Sequence, residues 1–139
     1  IGRNNVSATS KQRILCAWRR RYVRLTPEEY VRQTILHVLE TQYEYPHGLI
    51  GVEVPIEVAG LKKRCDAIVY NQLMQPLMLI EFKAETVPLT QQVFDQAAIY
   101  NRHLQVPYLM VSNGKDTIVA EVLATEYRFL TYVPNYQEL

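Results

Sequence analysis

The chain has 139 residues and a mass of 16.2 kDa, which fits one domain with a hydrophobic core of its own. Hydrophobic residues make up 48% and charged residues 21%, so wholesale disorder is excluded. The formal net charge of +1 neither indicates nor excludes a polyanionic partner. Two cysteines, Cys16 and Cys65, exclude a disulfide scaffold and lack the spacing of a zinc site.

Basic residues are concentrated in two segments, and each can be a solvated face or a nucleic-acid contact. The first holds Lys11, Arg13, Arg19, Arg20, Arg21 and Arg24, and the second holds Lys62, Lys63 and Arg64. No apolar run approaches the roughly 18–20 residues of a membrane span, and the start does not resemble a signal peptide. We therefore expect a cytoplasmic protein with no membrane partner. Because the chain begins at Ile1 rather than Met, we also expect it to be a trimmed or partial product.

The chain is predicted to comprise a basic N-terminal segment, residues 1–25, and a single domain, residues 26–139. The N-terminal segment has no clean hydrophobic period and is left unassigned. The domain opens with helix signals: Thr26 as N-cap, Pro27 at the first helical position and Glu29 completing a capping box. A helix is predicted over residues 27–42.

Three strands are predicted next, over residues 49–58, 64–70 and 76–83. The five residues 71–75 between the last two are of hairpin length, so the three strands are predicted to form a meander.

A second helix is predicted over residues 91–104 with Thr90 as its cap. Residues 107–112 are almost wholly apolar, which is typical of a central strand covered on both faces. The dipeptide at 113–114, Asn-Gly, favours a tight reversal into a strand at 117–123, and an edge strand follows at 127–133. The predicted fold is α/β with the order α-β-β-β-α-β and additional C-terminal strands. No Walker A or GxGxxG sequence occurs, which argues against an autonomous nucleotide-binding domain.

The predicted hairpin brings three polar residues together. A symmetric register about the connection pairs Tyr70 with Leu77 and sets Asp66 opposite Glu81. Side chains on a strand repeat their face every second residue, so Lys83 shares the face of Glu81. Two carboxylates directly opposite repel each other unless a cation neutralises them.

A divalent metal ion would remove that conflict, because Mg²⁺ is often held by one or two carboxylates with waters and substrate phosphate. Such an ion activates water and stabilises charge on phosphorus, and Lys83 beside it could serve the same reaction. The alternative is an ordinary exposed ion pair on a hairpin, since Glu-x-Lys alone is common. The buried-looking strands on which Asp66 and Glu81 lie favour the metal site over that alternative.

Three motifs make the sequence similar to PD-(D/E)xK nucleases: RCDAIVY at residues 64–70, LIEFK at 79–83 and FDQAAIYN at 94–101. The branch it most resembles is the type I restriction enzyme R-protein N-terminal nuclease-like family. The likeness runs from residues 25–29 to residues 107–114. It implies a restriction-endonuclease-like core, with a central mixed sheet flanked by helices. The proline that often precedes the aspartate is absent, and Cys65 stands there instead.

The resemblance also implies roles for individual residues. Asp66 and Glu81 would bind Mg²⁺ or Mn²⁺ together with the Phe82 carbonyl, and Lys83 would serve the attacking water. Gln96 and Tyr100 would orient the site or touch the DNA backbone, although Tyr100 equally fits the apolar stripe of its helix.

Many members of the superfamily add a glutamate from the first helix, which would make Glu29 a further catalytic residue. Glu28 is the other candidate, because a capping box would already give Glu29 a sufficient role. Cys65 is expected to point away from Asp66 as a small core residue.

The predicted function is metal-dependent hydrolysis of DNA phosphodiester bonds without strong sequence specificity, since no base-reading motif is visible. The alternatives are a nuclease fold that binds nucleic acid or a protein without turnover, and a phosphodiesterase or RNase with the same metal chemistry. DNA is the expected partner. A homodimer and association with other restriction or repair subunits both stay open.

Overall fold

The structure is a computed structural model that describes residues 12–139, so Lys11 of the first basic segment lies outside the described residues. Its α-helices and β-strands are, in chain order, β1 (Arg13–Cys16), β2 (Arg21–Arg24), α1 (Pro27–Gln42), β3 (Ile50–Val58), β4 (Leu61–Tyr70), β5 (Pro76–Phe82), α2 (Gln91–Leu104), β6 (Tyr108–Ser112), β7 (Thr117–Val122) and β8 (Tyr127–Leu130). None of the described helices is long and apolar enough to cross a membrane.

A six-stranded mixed sheet in the order β3-β4-β5-β6-β7-β8 forms the centre of the fold. All neighbours are antiparallel except β5 and β6, which run parallel and are joined through α2, as a parallel pair requires. The α/β prediction, the β3-β4-β5 meander and the buried central strand β6 are confirmed. The predicted edge strand is also confirmed, although β8 ends at Leu130.

Both predicted helices are confirmed, and their caps explain where they begin. The Thr26 hydroxyl accepts a hydrogen bond from the Glu29 N–H at 3.1 Å, and Pro27 opens α1. The Thr90 hydroxyl accepts from the Val93 N–H at 3.3 Å and opens α2. The capping box predicted for Glu29 is wrong in its second half, because the Glu29 carboxylate is hydrogen-bonded to side chains instead of the cap backbone.

The hairpin register differs from the prediction only at its turn. Ile68 pairs with Leu79 as predicted, whereas Tyr70 pairs with Pro76 instead of Leu77. An irregularity between Val69 and Tyr70 shifts this last pair. The physical reason lies in the connection, where the side-chain oxygen of Asn71 accepts two backbone N–H groups at 2.9 Å each and tightens the turn.

Two hydrophobic cores cover the two faces of the sheet. The α1-side core contains Val31, Leu36, Leu39, Met78, Ile80, Phe82 and Met110. The α2-side core contains Cys65, Ile68, Leu79, Phe94, Ala97, Ala98 and Leu109. Successive residues of β5 therefore face opposite cores, which fixes its register against a one-residue slip.

The alternation of side chains along β4 breaks at Asp66. Cys65 packs in the α2-side core together with Ile68, whereas Ala67 packs in the α1-side core. Strict alternation would place Cys65 and Ala67 on one face. Across the ladder, Glu53 of β3 has a positive φ of 57°, so both strands are irregular at this level. Cys65 is buried as predicted, but the expectation that it points to the other face is wrong.

Residues of the unassigned N-terminal segment form a short hairpin of β1 and β2, separate from the central sheet. It is attached to α1 by an ion pair between Arg19 and Glu29. The ring of Trp18 stacks on His47 with centroids 4.5 Å apart. The sequence did not predict this hairpin, because four-residue strands rich in arginine carry no clear alternation.

Candidate active site

A cleft of about 510 Å³ opens where β4 and β5 meet the two helices. It is lined by five of the side chains predicted for the site: Asp66, Glu81, Lys83, Gln96 and Tyr100. The β4–β5 pairing runs as far as Ala67 with Ile80, and one further step of that register sets Asp66 beside Glu81. The register therefore brings the two carboxylates together, as the symmetric hairpin register predicts.

Asp66 is held through both its side chain and its backbone. Its Oδ2 accepts the Phe82 N–H at 2.7 Å, and its carbonyl oxygen accepts from Arg32 at 3.3 Å. Burial raises the pKa of Asp66, and the carboxylates of Glu81 and Glu53 add to that rise. The Phe82 hydrogen bond and the Arg32 charge oppose it without cancelling it. A further cation that approaches Asp66 would favour the charged form of its side chain.

Glu81 is paired with two lysines, one at each oxygen. The Lys83 Nζ lies 3.2 Å from Oε2, and the Lys63 Nζ lies 3.3 Å from Oε1. All three side chains are partly exposed, with Glu81 the least exposed at 18%. The predicted Glu81–Lys83 proximity is present, and Lys63 adds a second positive charge to the cluster.

The second helix contributes Gln96 and Tyr100, which lie one turn apart and both border the cleft. The neighbouring Phe94 and Ala97 face the α2-side core instead. Tyr100 is only partly buried, and its ring lies under the Lys63 ammonium at 4.0 Å. Of the two interpretations of Tyr100, the structure places the ring at the cleft.

The two consecutive glutamates of α1 point in different directions. Glu28 borders the cleft. Glu29 is 5% exposed, and its carboxylate contacts Arg19, Gln33 at 3.0 Å and Arg32 at 3.5 Å. Neighbouring helical residues are about 100° apart around the axis, so only one of the two can face the cleft. Of the two candidates, the structure therefore places Glu28 at the cleft and Glu29 among buried side chains beside it.

Arg32 is a supporting residue that the sequence reasoning missed. It is 7% exposed, donates to Glu53 at 2.8 Å and to the Asp66 carbonyl at 3.3 Å, and lies near Glu29. Its position four residues before Leu36 puts it on the apolar stripe of α1. An arginine on such a stripe is a recognisable signal, because a buried charge needs partners.

The sequence indicates Lys63 only as part of a basic segment. Simple alternation puts it on the face opposite Asp66, and only the irregularity at Asp66 brings both to one cleft. No feature of the sequence predicts this irregularity. Cys65, between the two, has its pKa raised by burial to about 11, so its thiol stays protonated near neutral pH.

Within residues 12–139, no three His, Cys, Asp or Glu side chains are grouped to hold a metal ion by themselves. The cleft supplies the smaller donor set of Asp66 and Glu81. Phe82 also lines the cleft, and because its side chain lies in the α1-side core, its backbone carbonyl is the donor that the family resemblance implies. Two carboxylates with a carbonyl suit a hard cation that completes its shell with water and phosphate. This donor set fits Mg²⁺ or Mn²⁺ better than zinc, which prefers histidine and cysteine ligands.

Among solved structures, the chain is similar to a candidate nuclease belonging to DUF820 from Anabaena variabilis ATCC 29413. The two align with a TM-score of 0.53 and 11% identity over 86% of this chain and 81% of that one, which is a likeness of fold. The structure of SSO0001 aligns with a TM-score of 0.35 and 18% identity over 73% of this chain and 48% of that one, too weakly to support an argument.

No functionally curated protein matches the chain significantly. A family model does match, over residues 27–134, which is most of the chain and contains every residue of the cleft. The family resemblance inferred from the three motifs is thereby confirmed. The chain belongs to the family of the type I restriction enzyme R protein N terminus (HSDR_N).

Proposed function

We propose that this domain is a metal-dependent nuclease that hydrolyses DNA phosphodiester bonds. The observation that carries the proposal is the convergence of Asp66, Glu81 and Lys83 with two residues of α2 in one open cleft. Membership of a restriction-enzyme family and the fold of a candidate nuclease support the same activity. The fold alone would not support this activity, because one fold serves many functions.

Asp66 and Glu81, with the Phe82 carbonyl, would hold Mg²⁺ or Mn²⁺. When bound, such an ion lowers the pKa of a water ligand and polarises the phosphoryl oxygens. The raised pKa of Asp66 supports this assignment, because a buried carboxylate near Glu81 and Glu53 gains more from a cation than a solvated one does. Glu28, at the start of α1, is the third carboxylate that borders the cleft.

Lys83 is the residue assigned to the attacking water and the developing phosphate charge. Its ammonium is fixed 3.2 Å from Glu81, so it can donate to a water or phosphate oxygen next to the metal ligands. Gln96 and Tyr100 present an amide and a phenol from one helix face, and both groups can hydrogen-bond phosphate oxygens.

Contacts to DNA would be made largely through the phosphate backbone. The β1–β2 hairpin exposes several arginines, namely Arg13, Arg20, Arg21 and Arg24. Arg19 at its turn binds Glu29 of α1, next to Glu28 at the cleft. Such contacts attract DNA without reading bases, in keeping with low sequence specificity. Association with other restriction subunits is part of the proposal, since the family is named for a domain of the R protein.

Cleavage of DNA by matched lysine variants tests the proposal. Wild type, Lys83→Ala and Lys62→Ala are incubated with Mg²⁺ and plasmid or single-stranded DNA, and an RNA substrate is run in parallel. Lys62 is an exposed lysine on β4 that pairs with Glu57 outside the cleft, so its removal is a charge-matched control.

We expect Lys83→Ala to reduce the cleavage rate by about 10²-fold or more, as loss of a positioned catalytic group does. Lys62→Ala should cut like the wild type. Preference for RNA over DNA would reassign the substrate, and equal rates for all three proteins would reject the role of Lys83.

The second candidate is a nuclease-fold module that binds without turnover. One observation favours it: Lys63 and Lys83 together neutralise Glu81 without any metal ion. On this alternative, wild type cuts no nucleic acid with Mg²⁺ or Mn²⁺, and Asp66→Ala leaves DNA affinity unchanged.

A further inference from the structure

Lys63 occupies an unusual position for a lysine on a strand. Its Nζ lies 3.3 Å from Glu81 Oε1 and 4.0 Å from the centre of the Tyr100 ring, and its side chain is 27% exposed. An ordinary strand lysine extends into water, as its exposed neighbour Lys62 does. Lys63 instead connects β4 to β5 and α2 across the cleft.

A divalent ion and Lys63 compete for the same carboxylate. An ion at Glu81 adds two positive charges beside two ammonium groups, and like charges at such distances repel. At least one ammonium must then move away from its Glu81 oxygen.

Lys63 is better placed to leave than Lys83. The face of the Tyr100 ring attracts a cation independently of Glu81. Lys63 can therefore keep its cation–π contact with Tyr100 after it leaves Glu81. Lys83 directly follows the end of β5, two residues after Glu81, so its backbone stays close to Glu81. An ammonium near Tyr100 and released from its carboxylate is a binding site for a phosphate oxygen.

We propose that Lys63 is a nucleic-acid-binding residue that exchanges its partner: it pairs with Glu81 when no metal ion is bound, and passes to a backbone phosphate when a divalent ion takes Glu81. This inference rests on the proposed function, because it requires metal at Glu81 and a phosphodiester substrate. It assigns Lys63 to substrate binding and Lys83 to the water, so the two lysines of the cleft have different roles.

The exchange predicts opposite effects of one substitution on two ligands. Lys63→Met keeps the apolar stem and removes the charge. Removal of the competing ammonium should tighten Mn²⁺ binding about threefold to tenfold, measured by calorimetry. Removal of the phosphate contact should weaken DNA binding in Ca²⁺ about threefold to tenfold and lower the magnitude of the salt slope, log affinity against log salt, by about 1.

Two further variants make the test specific. Lys62→Met removes the same charge from the neighbouring position of β4 and should leave Mn²⁺ affinity unchanged. Lys63→Arg restores the charge and should recover most of the DNA affinity and the salt slope. Circular dichroism on all variants confirms that each is folded before its binding is compared.

Three results decide the matter. Opposite shifts for Lys63→Met, with Lys63→Arg recovering DNA binding, support the exchange. If Lys63→Met and Lys62→Met behave alike towards Mn²⁺ and DNA while the wild type binds both, the exchange is overturned and the nuclease proposal stands. If the wild type binds neither Mn²⁺ nor DNA, the nuclease proposal fails and the exchange fails with it.

Discussion

At the residue scale, Arg32 of α1 supports Asp66 by donating to its carbonyl oxygen at 3.3 Å, and it also pairs with Glu53 of β3. The motif spacing predicted Asp66, Glu81 and Lys83, and all three border the cleft. The choice between Glu28 and Glu29 depends on the rotation of α1 about its axis. Contacts with separate elements fix that rotation, because Glu29 pairs with Arg19 outside α1 and Arg32 pairs with Glu53 of β3. Nothing in the local sequence identifies these partners.

Arg32 provides a test of that support. Arg32→Met removes the arginine that pairs with Glu53 and the donor to the Asp66 carbonyl, whereas Glu29 keeps Arg19 and Gln33. Loss of one member of a largely buried ion pair is strongly destabilising, so we expect the free energy of unfolding to fall by about 3 kcal/mol. Urea denaturation followed by circular dichroism measures this loss.

Arg128→Met is the matched control, because Arg128 pairs with Glu121 at the surface and is 65% exposed. Exposed pairs of this kind contribute about 0–1 kcal/mol. Equal losses of unfolding free energy for the two variants would show that Arg32 stabilises the fold no more than an exposed arginine does.

At the scale of elements, the helices were predictable and the strand irregularities were not. Caps at Thr26 and Thr90 and the following apolar stripes gave α1 and α2 their bounds. The irregularity at Glu53 and Asp66 lies where Arg32, more than 20 residues away along the chain, contacts both residues. Periodicity is a local signal, so it could not reveal the change of face that brings Lys63 into the cleft.

The β6–β7 turn holds the segment after Lys83 in place through a hydrogen bond from Asn113 to Val87. Asn113 is 2% exposed, its oxygen accepts the N–H groups of Lys115 and Asp116 at 2.9 and 2.7 Å, and its amide donates to the Val87 carbonyl at 2.8 Å. Asn113→Ala removes these three partly buried hydrogen bonds. We expect it to lower the free energy of unfolding by about 2 kcal/mol.

Asn71→Ala offers a comparison for that loss, because Asn71 closes the β4–β5 turn with equivalent bonds at the exposed surface. Water can replace Asn71 as the partner of these exposed groups. Asn71→Ala should therefore lower the free energy of unfolding by about 1 kcal/mol or less. Denaturant midpoints that rank Asn71→Ala as the more damaging variant would contradict this account of the turn.

At the scale of the whole molecule, the site lies beside the one parallel pair of the central sheet, β5 and β6. The crossover that makes β5 and β6 parallel carries α2 across one face, so Gln96 and Tyr100 reach the strand that holds Glu81. On the other face, α1 supplies Glu28 at the cleft and Arg32 below Asp66. The fold therefore gathers donors from four elements around one pair of carboxylates.

The most direct measurement of the central claim is plasmid cleavage with and without divalent metal, by wild type and Asp66→Asn. Asn keeps the shape of the side chain and removes the charge that would hold the ion. Wild type should nick DNA with Mg²⁺ or Mn²⁺ and stop when EDTA is added, and Asp66→Asn should lose at least about 10²-fold in rate. Cleavage that persists in EDTA, or that Asp66→Asn carries out at the wild-type rate, would contradict the account.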